Sequence, residues 1–130
     1  MSANRLELIE ELNRAFNARQ DWTRFYDDEA ELHTPPEWLD QSVYRGLEGL
    51  REVLRLWTES FDEYQWSQER LIDGPDAVVG LYHQRGQIKG VDSWIEQPIG
   101  CVYRFRGDKV SRLDVFFSWE AAIEAGGASA

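Results

Sequence analysis

From Tyr64 to Ser118 the chain reads as four long extended segments, broken only by DGPD (73–76), KGVD (89–92) and RGDK (106–109). Gly and Asp in such short breaks supply the backbone conformations of tight turns. Segments of about 64–73, 77–89, 94–106 and 109–118 are therefore expected to pair as antiparallel strands, the last two through a tight hairpin. The first half of the chain follows a different period. Leu6, Ile9, Leu12 and Phe16 recur at helical spacing over 4–18, with Asn4 and Glu7 placed as a capping box. Leu50, Val53, Leu54, Trp57 and Phe61 mark one face of a helix over 47–61. Between the two, WTRFY suggests a short helix ended by DDE, and EWLDQSVYRG a loop. AELHT is expected to be a short strand halted by Pro35 and Pro36, which lack the amide hydrogen that a ladder needs. A last short helix opens at Ser118 or Trp119 and ends at Gly126, leaving 126–130 as a frayed tail. Helices first and strands second predict one α+β domain over 1–130, with the helices on one face of an antiparallel sheet.

Several function classes are argued against at once. A net charge of −10 leaves no excess of Lys and Arg to displace counterions, so nucleic acid is not an expected partner. The chain holds no run of about 18 apolar residues, and MSANRLELIE lacks the basic-then-apolar order of a signal peptide; a soluble, cytoplasmic protein without a membrane partner is expected. One cysteine and two histidines give no zinc spacing, and no phosphate-loop or dinucleotide motif occurs, so neither metal nor cofactor is expected.

Side-chain alternation along the strands then sorts residues by face. A turn centred near Gly90 sets His83 opposite Pro98 and Arg85 opposite Glu96. On this reading Leu81, His83 and Arg85 face the helices together with Pro98, Gly100 and Val102, and so do Leu113, Val115 and Phe117 of the last strand. The small residues would leave room. Tyr26, Trp38, Leu54 and Trp57 from the helices and loop would close a pocket for an apolar ligand. The opposite face would carry Val78, Tyr82, Ile99, Cys101, Tyr103 and Phe116, with Arg112 and Asp114 as an ion pair, and is too apolar to stay in water.

The stretches AFNARQDW, FYDDEAELHTPP, YRGLEGLREVL and EQPIGCVYRFRGDKVSRLDVFF, in that order over about 4–125, resemble the SnoaL-like group of the nuclear-transport-factor-2-like superfamily. The resemblance implies a cone-shaped α+β fold and a homodimer formed through the apolar outer sheet face. It also implies a wide choice of activities, from isomerases, cyclases, epoxide hydrolases and dehydratases to non-catalytic modules. In its ketosteroid-isomerase branch a strand carboxylate is the base, and a tyrosine and a protonated acid hold the oxyanion. Matched onto that pattern, the chain has Thr34 at the base position, Leu12 for the tyrosine and Gly100 for the second acid, so that mechanism is not expected.

Acid–base candidates are then His83, with Glu96 and Arg85 at the cavity rim; His83 reads equally as a ligand contact or as a structural ring, and the Arg85–Glu96 pair as rim stabilisation. His33 should point away from the cavity. Two functions remain open. One is a small enzyme performing cofactor-free proton transfer on an apolar molecule (isomerase, cyclase or hydratase type), and the other is a non-catalytic ligand-binding or dimerising module.

Overall fold

The computed structural model describes residues 2–35, 43–59, 61–90 and 92–127. Helix α1 (Ser2–Asn17) is followed by a single 3-10 turn (Thr23–Phe25), strands β1 (Tyr26–His33) and β2 (Val43–Arg45), and helix α2 (Gly46–Glu59). Four strands come next, β3 (Phe61–Asp73), β4 (Val78–Ile88), β5 (Trp94–Arg106) and β6 (Lys109–Phe116), and then helix α3 (Trp119–Ala125). All six strands form one curved, unclosed sheet in the order β2-β1-β6-β5-β4-β3.

The turn chemistry read from the sequence holds: β3–β4, β4–β5 and β5–β6 are antiparallel neighbours, and His83 pairs with Pro98 and Arg85 with Glu96. Several details differ, and Phe61, expected on the helix over 47–61, opens β3 instead. The helix expected over WTRFY is one 3-10 turn, and β1 begins at Tyr26 rather than Ala30, so the acidic run lies inside the strand. β1 lies parallel to β6, which makes the sheet mixed. Val43–Arg45, expected in a loop, pairs with Glu31–His33 as an edge strand. Helix α1 starts at Ser2, which puts Asn4 within its first turn and not at a cap.

Helices pack on both faces of the sheet, on the second of them over only part of it. Helices α1 and α2 lie over the concave face, where Ile9, Leu12, Leu50 and Val53 are buried against Tyr82, Ile99, Cys101 and Tyr103. Helix α3 lies over the convex face, where Ala122 packs with Val79, Leu81 and Val102. Ser118 caps α3 by accepting from the Ala121 amide, and the indole of Trp119, its first residue, donates to the Tyr82 carbonyl, so the start of the helix is pinned twice. Gly100 lies directly beneath it. A Cβ at Gly100 would come within 2.4 Å of the Ala122 Cβ, so glycine here is the condition for α3 to dock.

The faces of β4 and β5 are the reverse of those expected. Tyr82, Ile99, Cys101, Tyr103 and Val78 belong to the concave core, whereas Leu81, His83, Arg85, Pro98, Gly100 and Val102 belong to the convex side. On β6 the expectation is met for Leu113 and Val115. The inversion has a local cause in a bulge of β6. Arg106 faces Lys109 and Phe105 faces Val110, but Arg104 faces Arg112, so Ser111 is an extra residue in the ladder. One extra residue moves every later partner on β5 to the other face relative to β6.

Candidate functional site

Under the helices lies a cavity of about 60 Å³ with almost wholly apolar walls. Helix α1 contributes Leu12, Asn13 and Phe16, and α2 contributes Val53, Leu54 and Trp57; both helices present the apolar stripe that the sequence period dictates. Tyr64 and Trp66 of β3, Cys101 and Tyr103 of β5, and Leu113 and Val115 of β6 form the sheet wall. Tyr26, Leu32, Thr34 and Pro35, from β1 and the residues after it, complete the lining. The rings brace one another: Trp66 lies against Tyr82 at 4.7 Å between centroids, Phe16 meets Trp66 edge-on at 6.0 Å, and Phe117 packs on Trp57 at 5.7 Å.

Two polar networks cross this apolar wall. At one, the Asn13 amide donates to Tyr82 Oη and to Gln68 Oε1, both at 2.8 Å, and the Tyr82 and Tyr103 hydroxyls are 2.8 Å apart. At the other, Gln84 Oε1 accepts from Trp57 Nε1 at 2.6 Å and from Tyr64 Oη at 2.8 Å, and Gln84 Nε2 donates to Gln97 Oε1 at 2.9 Å. Gln84 and Asn13 are buried, and their satisfied amides fix how α1 and α2 sit on the sheet.

Burial governs the ionisable groups of the wall. It pushes the phenols of Tyr26, Tyr64, Tyr82 and Tyr103 up from their usual value and the Cys101 thiol up to about 12. Among the described lining residues there is no carboxylate and no histidine. A thiol so placed is inert. Cys101 in the native protein should react with a thiol-specific disulfide reagent at pH 8 at least about 100-fold more slowly than in the urea-unfolded chain; labelling at comparable rates in the two states would contradict the placement.

Of the residues expected to form the site, Tyr26, Leu54, Trp57 and Val115 line the cavity, and Phe117 backs Trp57. Trp38 lies outside the described residues. The remaining expectations are corrected. The His83 side chain is 46% exposed on the convex face, 3.4 Å from Glu69 and over the Trp119 ring at 4.9 Å. Glu96 is exposed on the same face. Arg85 places its guanidinium over the Trp94 ring at 4.4 Å, and Leu81 is buried against α3. With Gly100 beneath Ala122, none of these residues reaches the cavity. His33 points away from the cavity as expected, 3.0 Å from Glu31 and 3.9 Å from Asp114, which also accepts from Arg104 and Arg112. Sequence reasoning passed over Asn13, Tyr64 and Trp66, and it assigned to the outer face Tyr82, Cys101 and Tyr103. A signal for the last three was present, in a run of rings and a thiol at every second position of two neighbouring strands.

The sequence profile of the SnoaL-like domain matches residues 9–113, most of the chain. The chain belongs to the SnoaL-like family. No protein of curated function matches it by sequence. Solved structures match it over nearly its whole length. Bal32a, from a soil-derived mobile gene cassette, superposes with a TM-score of 0.80 at 16% identity, covering 95% of this chain and 96% of its own. TerC, co-crystallised with polyporic acid, gives 0.77 at 16% identity, covering 93% and 96%. A SnoaL-like polyketide cyclase candidate from Jannaschia sp. CCS1 gives 0.77 at 15% identity, covering 99% and 95%. At such identities the likeness is one of fold, and it establishes the nuclear-transport-factor-2-like architecture of this SnoaL-like chain. No helix of the described residues is long and apolar enough to cross a membrane.

Proposed function

We propose that this SnoaL-like protein binds a small, apolar, ring-containing molecule, one end of which enters the cavity between α1, α2 and the sheet. The observation that carries the reading is a cavity walled by rings, Tyr103 among them, whose hydroxyl meets that of Tyr82, which Asn13 backs in turn. The Tyr82 and Tyr103 hydroxyls share a hydrogen bond that either can donate, and when Tyr82, which accepts from Asn13, is the donor, the Tyr103 proton is offered to the Cys101 sulfur or to an acceptor on the ligand. A carbonyl or ether oxygen suits such a donor. Cofactor-free proton transfer near neutral pH would need a base, and the described lining supplies none, so the binding reading is preferred to the catalytic one. Pairing through the outer face is not part of this proposal, because Tyr82, Ile99, Cys101 and Tyr103, which suggested it, lie in the core.

The test uses N-phenyl-1-naphthylamine, a neutral dye that brightens on leaving water. Val115→Phe places a ring in the space of the cavity and should weaken dye uptake by roughly tenfold or more while leaving the protein as stable as before or more so. His83→Gln should bind the dye as the parent does. Uptake untouched by Val115→Phe would place the dye elsewhere and refute the reading.

A further inference from the structure

The cavity is small. About 60 Å³ falls well short of the ~300–1,000 Å³ of an ordinary ligand site, so it has room for only one end of a ligand. It adjoins a second, open groove of about 320 Å³, with which it shares Phe16, Leu54 and Tyr64. The groove has a different chemistry. In a chain of net charge −10, it gathers Arg19, Arg51 and Arg55, beside Asn17, Gln20 and Thr58.

The three cations are not equally engaged. Arg55 is paired with Glu52 and Glu59 on its own helix. Arg51 donates to Thr23 Oγ1 at 3.3 Å, and the nearby Asp21 carboxylate already accepts from the Thr23 amide and hydroxyl. Arg19 makes no ion pair or side-chain hydrogen bond among the described residues. Its backbone is also unusual. The Gln20 amide donates to the Ala15 carbonyl and the Arg19 amide to the Phe16 carbonyl, the two bonds of a Schellman motif, with Arg19 at the position that glycine normally fills. Its φ is +57°, the only positive φ of a non-glycine residue among the described ones. A side chain held there costs backbone energy that glycine would not. The attraction of a cation to a helix C-terminus does not require this conformation, since Arg14 meets it from within the last turn.

We propose that the groove over Arg19 and Arg51 seats an anionic group of the ligand, so that the molecule bound is a small amphiphilic acid whose ring enters the cavity and whose carboxylate or sulfonate lies at the arginines. The inference rests on the binding reading above and narrows it to a substrate class. An apolar body with one anionic end matches the two adjoining surfaces, one ring-walled and one cationic.

Two dyes with the same ring skeleton separate the two readings. N-phenyl-1-naphthylamine is neutral, and 1-anilinonaphthalene-8-sulfonate carries one negative charge. The parent should bind the sulfonate at least about fivefold more tightly at low salt, and 0.5 M salt should reduce that advantage without touching the neutral dye. Arg19→Gly should remove most of the preference, Arg19→Lys should keep part of it, and neither should change neutral-dye affinity. Arg19→Gly should melt no lower than the parent, which separates lost charge from lost fold. Equal affinity for the two dyes, or a sulfonate preference that survives Arg19→Gly together with Arg51→Gln, overturns the anion site and leaves the cavity reading intact. Failure of both dyes to bind overturns both.

Discussion

Raising the pH above about 10 should unfold this protein in one cooperative step, with the tyrosines ionising together as the fold is lost. Tyr26, Tyr82 and Tyr103 are almost wholly buried and cluster with Cys101, and desolvation is the leading cause that raises each of their pKa values. A group whose folded pKa lies above its unfolded value binds its proton more tightly in the native state. Its stabilising contribution is complete below the unfolded pKa and is lost as pH rises toward the folded one. For Cys101 that window runs from an ordinary value of 9.0 to about 12, and for the phenols it opens near 10.0. Each phenol that stays protonated only in the folded chain costs about 1.4 kcal/mol per pH unit above about 10, and with Cys101 the sum reaches several kcal/mol within a pH unit or two. Such a loss is comparable with the whole stability of a domain of this size, about 5–15 kcal/mol. Absorbance near 295 nm should therefore rise steeply and coincide with the loss of far-ultraviolet circular dichroism. A gradual phenol titration centred near pH 10 in a protein that keeps its secondary structure would show that the cluster is open to water.

Gly80→Val should cost about 3 kcal/mol or more, because it evicts the ring on which the sheet wall is built. Gly80 and Tyr82 share the concave face of β4, and the Tyr82 ring leans back along its own strand over Gly80: a Cβ there would lie 2.5 Å from Tyr82 Oη and 2.6 Å from the ring. Tyr82 has no exposed surface to retreat to, being 0% exposed, in contact with Trp66 and bonded to Asn13 and Tyr103. Overpacking of this kind costs roughly 1–3 kcal/mol by itself, and the buried hydroxyls stranded by the move add to it. In urea the midpoint should fall while the slope stays the same. Tyr82→Ala combined with Gly80→Val should lose less than the sum of the two single changes, since the clash disappears with the ring. Strict additivity, or a loss below about 1 kcal/mol, would mean that the ring does not lie over the glycine.

The order of the main helices and long strands, the three strand turns and the pairing of His83 with Pro98 were legible in the sequence because each depends on neighbours along the chain: helical or alternating period, and Gly and Asp at the turns. Leu12, Leu54, Trp57 and Val115 were likewise legible as cavity-facing positions or as members of an apolar helix face, since a helix stripe can be buried in only one direction. The choice of face on β4 and β5 was not. Alternation identifies a buried face only where the other face is wet, and here Val78, Tyr82 and Ile99 are covered by α1 and α2 while Val79, Leu81 and Val102 are covered by α3. Read as an unbulged hairpin, RGDK would set Gly100 opposite Val115 and place glycine, His83 and Arg85 in the cavity. The single extra residue at Ser111 sets Cys101 there instead and carries Tyr82 and Tyr103 inward with it. Local sequence thus determined the strands and their turns, whereas the docking of a seven-residue helix over Gly100 and one bulge decided which side chains line the cavity. A two-sided apolar strand carries no local preference between its faces, and only packing against the rest of the chain can supply one.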